Sequence, residues 1–240
     1  MTNASVPEST VLETRRLSVG YGELPVLREV DLEVRSGEVV VLLGANGAGK
    51  STALKGMAGI LTASEGEVRL QGAVTRRPLH KRARAGLGYL SDERSVIMGL
   101  SVADNLRLGG VDHEPVFSMF PPLRGRVHTK AGLLSGGEQQ MLTLGRLLAR
   151  KPDVLLADEI SLGLAPLIVQ ELLSTVRAAA DGGMAALIVE QHVRQALDVA
   201  DRVYVMQRGQ IVLSATAQEC RERLEEIEVA YLGAVGSESE

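Results

Sequence analysis

One cysteine, Cys220, occurs among 240 residues. No disulfide can close within the chain, and a reducing compartment suits it best. The expectation for Cys220 itself is a small buried hydrophobe. A basic excess is also missing, because the formal net charge is −4. Proteins that grip nucleic acid through its phosphates carry basic surfaces, so no nucleic-acid partner is expected. Residues 1–10 are polar and lack the basic start and apolar run of a signal peptide. Apolar runs such as 39–43 and 154–157 are strand-length and far too short to cross a bilayer. The chain is therefore expected to be soluble in itself and to reach a membrane only by binding another protein. Its apolar content of 45% still allows a sizeable core. The length fits one domain, or one domain carrying a small inserted subdomain.

Short strand-like runs alternate with helical ones. Residues 12–19 and 27–34 alternate apolar and polar positions, as an exposed antiparallel sheet requires. Residues 38–43, 154–158 and 186–189 carry continuous apolar runs, with Glu38 and Asp158 charged at their ends, which suits parallel strands buried on both faces. Each is followed by a helical pattern: 50–58, 166–180 and 193–200. This order predicts an α/β sheet that presents ligands at the carboxyl ends of its strands. A hairpin is expected from 202–207 and 210–214, turning at Arg208-Gly209, and a last helix over 217–231. Residues 101–130, with Pro115, Pro121, Pro122 and both phenylalanines, are weakly helical and read as part of an inserted lobe. Residues 1–10 and 234–240 are expected to be flexible ends.

Gly44-Ala45-Asn46-Gly47-Ala48-Gly49-Lys50-Ser51 fits G-x-x-x-x-G-K-[ST], between a predicted strand and a predicted helix. In that context the glycines let backbone N–H groups wrap phosphates, and the helix N-terminus adds positive potential. Lys50 would reach the β- and γ-phosphates, Ser51 would offer its hydroxyl to Mg²⁺, and Thr52 is placed for a further phosphate contact. The alternative is a glycine-rich structural turn.

Asp158-Glu159 ends a buried apolar strand, which sets both carboxylates at the ligand edge. Asp158 would hold the Mg²⁺ through its water shell, leaving Glu159 to orient or deprotonate an attacking water. Further upstream, Ser135-Gly136-Gly137-Glu138-Gln139 precedes an amphipathic stretch. Ser135 and Glu138 have the spacing of a capping box. Gly136-Gly137 would weaken a helix start unless backbone must approach something closely, and a second anion site is one such need.

Ser135-Gly136-Gly137-Glu138-Gln139 resembles the signature motif of ATP-binding cassette (ABC) ATPases. The spacing to the phosphate loop and to Asp158-Glu159 is similar too, and the likeness spans about residues 11–233. It implies a P-loop NTPase core with a mostly parallel sheet, an N-terminal antiparallel β subdomain and a short inserted helical lobe at about 92–150. It also implies an ATPase that works with Mg²⁺ as a head-to-tail dimer, homomeric or heteromeric. In such a dimer Ser135, Gly136, Gly137, Glu138 and Gln139 of one subunit close over ATP held by Gly44, Ala45, Asn46, Gly47, Ala48, Gly49, Lys50, Ser51 and Thr52 of the other. Further implied partners are transmembrane permease subunits and, indirectly, a substrate-binding protein, which puts the chain at the cytoplasmic side of the membrane. By the same likeness, Tyr21 falls where an aromatic stacks on adenine, Gln191 at the switch that senses the γ-phosphate, and Asp92 in the loop that meets Mg²⁺ and the membrane subunit.

Gly136-Gly137-Glu138-Gln139-Gln140-Met141-Leu142, Ser161-Leu162-Gly163-Leu164-Ala165-Pro166, Val189-Glu190-Gln191 and Tyr231-Leu232-Gly233 resemble the ATPases of branched-chain amino acid importers. That branch implies amino-acid import. Other small cargo such as urea or amides, a weakly hydrolysing regulatory subunit, and a soluble ABC protein of repair or translation are the alternatives. The chain departs from the branch at Ser91-Asp92-Glu93-Arg94, where Pro-Glu-Gly-Arg is usual. It departs again at Ile160, where proline is usual, and in a shortened stretch between Asn105 and Ser135.

Overall fold

The computed structural model describes residues 9–22, 24–93, 95–190, 193–227 and 229. The chain opens with β1 (Thr10–Tyr21) and β2 (Leu24–Arg35), paired antiparallel, and enters the main sheet at β3 (Val39–Leu43). After α1 (Lys50–Ala58) it returns to the first sheet as β4 (Ala63–Leu70) and β5 (Ala73–Val74). It then passes through α2 (Leu79–Arg84) to β6 (Leu87–Leu90). A helical lobe follows, built from α3 (Val102–Leu108), α4 (His113–Met119), two 3-10 turns at Pro121–Arg126 and Ala131–Leu133, and α5 (Gly136–Leu148). The remainder is β7 (Val154–Asp158), α6 (Pro166–Asp181), β8 (Ala185–Val189), α7 (Val193–Val199), β9 (Arg202–Gln207), β10 (Gln210–Thr216), α8 (Ala217–Glu222) and α9 (Leu224–Ile227).

The main sheet has the order β10-β9-β3-β8-β7-β6, parallel throughout except for the β9–β10 hairpin. The smaller sheet, β2-β1-β4-β5, is antiparallel. The expected split into a mostly parallel core and an antiparallel sheet is thus present. Every residue of β3, β7 and β8 is buried, because both faces of the main sheet are covered. Val40, Leu42, Leu156, Leu187 and Val189 pack beneath α1 and the small sheet. Leu155, Ala157, Ala186 and Ile188 pack against α5, α6 and the lobe. Val41 and Leu43 join Ala196, Leu197 and Cys220 in a third cluster, and Cys220 is buried as expected.

Three departures from the sequence reading concern local structure. The small sheet recruits β4 and β5 from beyond α1. The start of β4, Ala63-Ser64-Glu65-Gly66, carries no apolar alternation, so tertiary pairing with β1 makes that strand. The segment 101–130 is more helical than its prolines suggest. Pro121 and Pro122 open a 3-10 turn rather than interrupting a helix, and Val116, Phe117, Phe120 and Leu123 form the lobe's core. The last helix does not run from 217 to 231. It stops at Glu222, Arg223 leaves helical geometry, and α9 restarts so that Ile227 is buried and Leu224 packs on the third cluster. Tyr231, Leu232, Gly233, the expected flexible tail 234–240 and residues 1–8 of the expected flexible start lie outside the described residues. Ser9, by contrast, is tied down, its carbonyl accepting from Ser36 N (2.9 Å), and Thr10 already belongs to β1.

Two buried polar side chains fix the connections. Arg82 donates to the carbonyls of Arg77 (2.6 Å), Gly56 (3.3 Å), Met57 and Thr75 (3.2 Å), tying α2 to the last turn of α1. Asn105, fully buried on α3, accepts from Ile97 N (2.8 Å) and donates to the carbonyls of Ile97 (3.1 Å), Leu100 (3.3 Å) and Ser101 (3.0 Å). Asn105→Ala orphans these groups together. It is expected to cost about 2 kcal/mol, since a lost buried partner costs roughly 1–3 kcal/mol. Thermal melting should read this as a fall of about 4–8 °C, and an unchanged midpoint would show that water replaces the amide.

Candidate active site

The phosphate loop hangs from the carboxyl end of β3, between β8 and β9. Its turn at Gly44 passes so close to β9 that a Cβ there would lie 2.4 Å from the Met206 carbonyl oxygen. Gly49 takes a left-handed conformation (φ 107°) as the N-cap of α1. No side chain caps this helix and no acid occupies its first turn, so its leading N–H groups remain available to an anion. Lys50 lies back across the loop, donating from Nζ to the carbonyls of Gly44 (2.7 Å) and Ala45 (3.1 Å). Burial pushes its pKa below the ordinary lysine value, and the charges of Glu159 and Asp158 act against that shift.

Below the loop, Ser51 Oγ donates to Asp158 Oδ1 at 3.0 Å. Asp158 is 1% exposed, and its Oδ2 is one of two buried side-chain polar atoms without a hydrogen-bond partner among the described residues. The other is the hydroxyl of Tyr89, which lies opposite Leu156 in the β6–β7 register. Burial raises the Asp158 pKa. The Ser51 bond opposes this, while the charges of Asp92 and Glu159 add to it. A hydroxyl and a carboxylate with one spare oxygen are hard donors suited to Mg²⁺. No cluster of three or more His, Cys, Asp or Glu able to hold a metal occurs among the described residues. These groups therefore fit a cation whose remaining ligands are phosphate oxygens and water.

Glu159 adopts φ +48°, a left-handed conformation uncommon for a residue with a side chain. Its N–H donates to the Val189 carbonyl on β8 (2.9 Å), and its own carbonyl accepts from Leu162 N (3.3 Å). The side chain reaches a cleft of 280 Å³, which it lines with Tyr21, Val26 and the run from Asn46 to Thr52. Pockets that enclose small molecules usually span about 300–1,000 Å³, so this cleft has the size of a partial site. Tyr21 is half exposed at its rim, open to stacking.

A family model described as ABC transporter matches residues 27–161. The chain belongs to this family. High-affinity branched-chain amino acid transport ATP-binding protein BraG of Pseudomonas aeruginosa is 40% identical over 86% of this chain and 93% of its own length. Probable branched-chain amino acid transport ATP-binding protein LivF of Archaeoglobus fulgidus is 36% identical over 94% of this chain and 100% of its own. Lipopolysaccharide export system ATP-binding protein LptB of Escherichia coli K12 is 32% identical over 92% and 97%. Among solved structures, an ATP-binding cassette of an ABC transporter superposes with a TM-score of 0.83 at 26% identity, covering 92% of this chain and 97% of that one. A nucleotide-free cassette superposes at 0.81 with 25% identity, covering 90% and 95%.

Within this ABC ATPase the expected site residues divide. Tyr21, Asn46, Gly47, Ala48, Gly49, Lys50, Ser51, Thr52 and Glu159 share the cleft. Gly44 and Ala45 do not line it, and their carbonyls hold Lys50 instead. Asp158 sits beneath, and Asp92, exposed after β6, lies close enough for its charge to raise the Asp158 pKa. Gln191 and the neighbouring His192 lie outside the described residues.

The signature residues Ser135 to Gln139 are not part of the cleft lining. Ser135 and Glu138 form the expected capping box, with Ser135 Oγ accepting from Glu138 N (3.2 Å) and Glu138 Oε2 from Ser135 N (2.8 Å). Arg126 pairs with the second Glu138 oxygen at 3.2 Å. Gln139 is buried, and its amide donates to the carbonyls of Ala131 (3.0 Å) and Leu134 (3.2 Å), which fixes the turn before α5. The close approach expected at the glycine pair has a packing origin at Gly137. A Cβ there would meet Ile168 Cγ2 of α6 at 2.9 Å. Val26 on the cleft wall and the buried hydroxyl of Tyr89 were not among the expected site residues. A tyrosine in an otherwise apolar strand was the available signal for the second.

Proposed function

We propose that this chain is the ATP-hydrolysing subunit that energises an importer of branched-chain amino acids, acting in pairs at the cytoplasmic face of the membrane. The observation that carries the reading is the Ser51–Asp158 bond beneath an uncapped helix N-terminus, with one Asp158 oxygen left without a partner. ATP binds with its phosphates on the N–H groups of Gly47 to Thr52 and its adenine against Tyr21. Lys50 exchanges its two loop carbonyls for β- and γ-phosphate oxygens. Ser51 and Asp158 would hold Mg²⁺, with Asp92 beside them, and when bound that ion neutralises charge on the β- and γ-oxygens. Glu159 orients a water and accepts its proton as the water's oxygen attacks the γ-phosphorus, giving ADP and phosphate. Gln191 contributes by hydrogen-bonding the γ-phosphate.

A cleft this small takes its second wall from another copy or a related subunit, through Ser135, Gly136, Gly137 and Glu138 at the head of α5. Gln139 serves there by holding that helix start rather than by touching ATP. No helix among the described residues is long and apolar enough to cross a membrane; in this reading permease subunits hold the chain at the bilayer. The names of BraG and LivF support branched-chain amino acids as the cargo. The likeness to LptB supports a second reading, an ATPase pair serving a different cargo, because the cleft holds nucleotide and no cargo.

Affinity purification from detergent extracts is expected to recover two permease subunits with the chain, and vesicles holding the complex should take up leucine, isoleucine or valine in an ATP-dependent way. Uptake of other cargo alone would favour the second reading. Recovery of a soluble nucleic-acid complex would overturn the transport reading.

A further inference from the structure

Glu190 marks a branch resemblance in the sequence, yet the chemistry above gives it no task. It is 2% exposed, directly after β8, and faces Ser161, which is also 2% exposed. Its Oε1 accepts from Ser161 N at 3.0 Å, and its Oε2 accepts from Ser161 Oγ. Two parallel bonds to a single residue, made by a carboxylate away from water, form a stiff connection.

The connection acts on a short turn. Glu159 N reaches the Val189 carbonyl, so the residues flanking Ile160 are each tied to the end of β8. Ile160 itself is 1% exposed and packs into the lobe-side core. Leu162 N returns to the Glu159 carbonyl, and Leu164 N to that of Ser161 at 3.0 Å. The turn from 159 to 164 thus holds Glu159 in its left-handed conformation at one end and presents the exposed Leu162 and Gly163 at the other.

We propose that Glu190 is a positioning residue for hydrolysis, which clamps Ser161 and thereby sets the aim of Glu159 at the cleft. The inference rests on the ATPase reading of this site. Both Glu190 oxygens are engaged by Ser161 and the residue does not line the nucleotide cleft, so its removal should act on turnover and spare nucleotide binding. Displacing a catalytic group by an ångström lowers rate by on the order of 10²-fold. Glu190→Ala should therefore lower kcat by about 10- to 100-fold with KM and ATP affinity unchanged.

Glu190→Gln keeps an acceptor for Ser161 N and a polar partner for Ser161 Oγ, and should restore most of the turnover. Hydrogen exchange across residues 159–164 should speed up in Glu190→Ala and stay near wild type in Glu190→Gln. Ser161→Ala removes one of the two bonds with little risk to folding, and should lower kcat in the same direction. Because the clamp is one unit, adding Ser161→Ala to Glu190→Ala should cost nothing further.

Wild-type turnover in Glu190→Ala or Ser161→Ala, a rise in KM without a fall in kcat, or an equal loss in the Gln and Ala variants would overturn the proposal. Wild-type protein that binds ATP without releasing phosphate would overturn the ATPase reading and this role with it. That result differs from failure of the clamp alone, in which wild type and Glu190→Ala turn over equally.

Discussion

Glu159→Gln is expected to lower ATP turnover by on the order of 10²- to 10⁴-fold, the range contributed by a positioned general base, and to leave ATP affinity unchanged. The amide has nearly the same shape and can still hydrogen-bond a water, but it cannot accept that water's proton. The backbone that aims residue 159 is held by the bond to Val189 and the return from Leu162, and neither uses the side chain. Geometry should therefore survive the substitution and chemistry should not. Phosphate release and fluorescent-nucleotide binding, measured on one preparation, separate the two effects. A variant keeping more than about a tenth of wild-type turnover would remove Glu159 from the role of base.

Asp158→Asn should act in opposite directions on stability and activity. Asp158 is buried, and Ser51 satisfies only one of its oxygens. A charge so placed is a liability until a cation arrives. Its folded-state pKa is raised by that burial, so the folded chain holds the proton more tightly than the unfolded one. The penalty is absent below the ordinary carboxylate value, grows as pH rises from there through the folded-state value, and stays at its full size above it. At neutral pH the amide relieves it. Nucleotide-free Asp158→Asn should be more stable than wild type by about 1 kcal/mol, the margin by which an unpaired buried charge costs more than an unpaired buried amide. The gain should vanish in acid. With Mg²⁺ and ATP the order should reverse, because wild type gains stability by binding the ligand and the variant gains less. Melting curves across pH, with and without Mg²⁺–ATP, test both halves. A nucleotide-free variant less stable than wild type at pH 7 would contradict the assignment of Asp158 as a stored, unsatisfied charge.

Much of the site was legible because its parts are local. A fully apolar strand followed by Gly44-Ala45-Asn46-Gly47-Ala48-Gly49-Lys50-Ser51 dictates its own loop, and α1 begins and ends where the sequence pattern places it. β7, with Asp158 at its end, was legible for the same reason. The Ser51–Asp158 bond spans 107 positions and was not foreseen, but both residues were assigned to one Mg²⁺ because strands of such a sheet present ligands at one edge. Other features depend on partners distant in sequence. β4 becomes a strand by pairing with β1, Gly137 is small because Ile168 lies against it, and Gln139 is spent on carbonyls of the preceding turn. Nothing in Val189-Glu190-Gln191 announces that the carboxylate turns inward to Ser161. Ile160 shows the same limit. Its side chain stands where proline is usual in the resembling branch, and the space it fills belongs to the lobe-side core.

One carboxylate pair beneath a phosphate loop makes this chain an ATPase, and phosphate release tests that most directly. Wild-type chain assembled with its permease subunits should release phosphate from ATP when Mg²⁺ is present and stop when it is chelated, while Glu159→Gln in the same complex binds ATP and releases phosphate at least about a hundredfold more slowly. Wild-type complex that binds ATP with Mg²⁺ yet releases no phosphate would contradict the account.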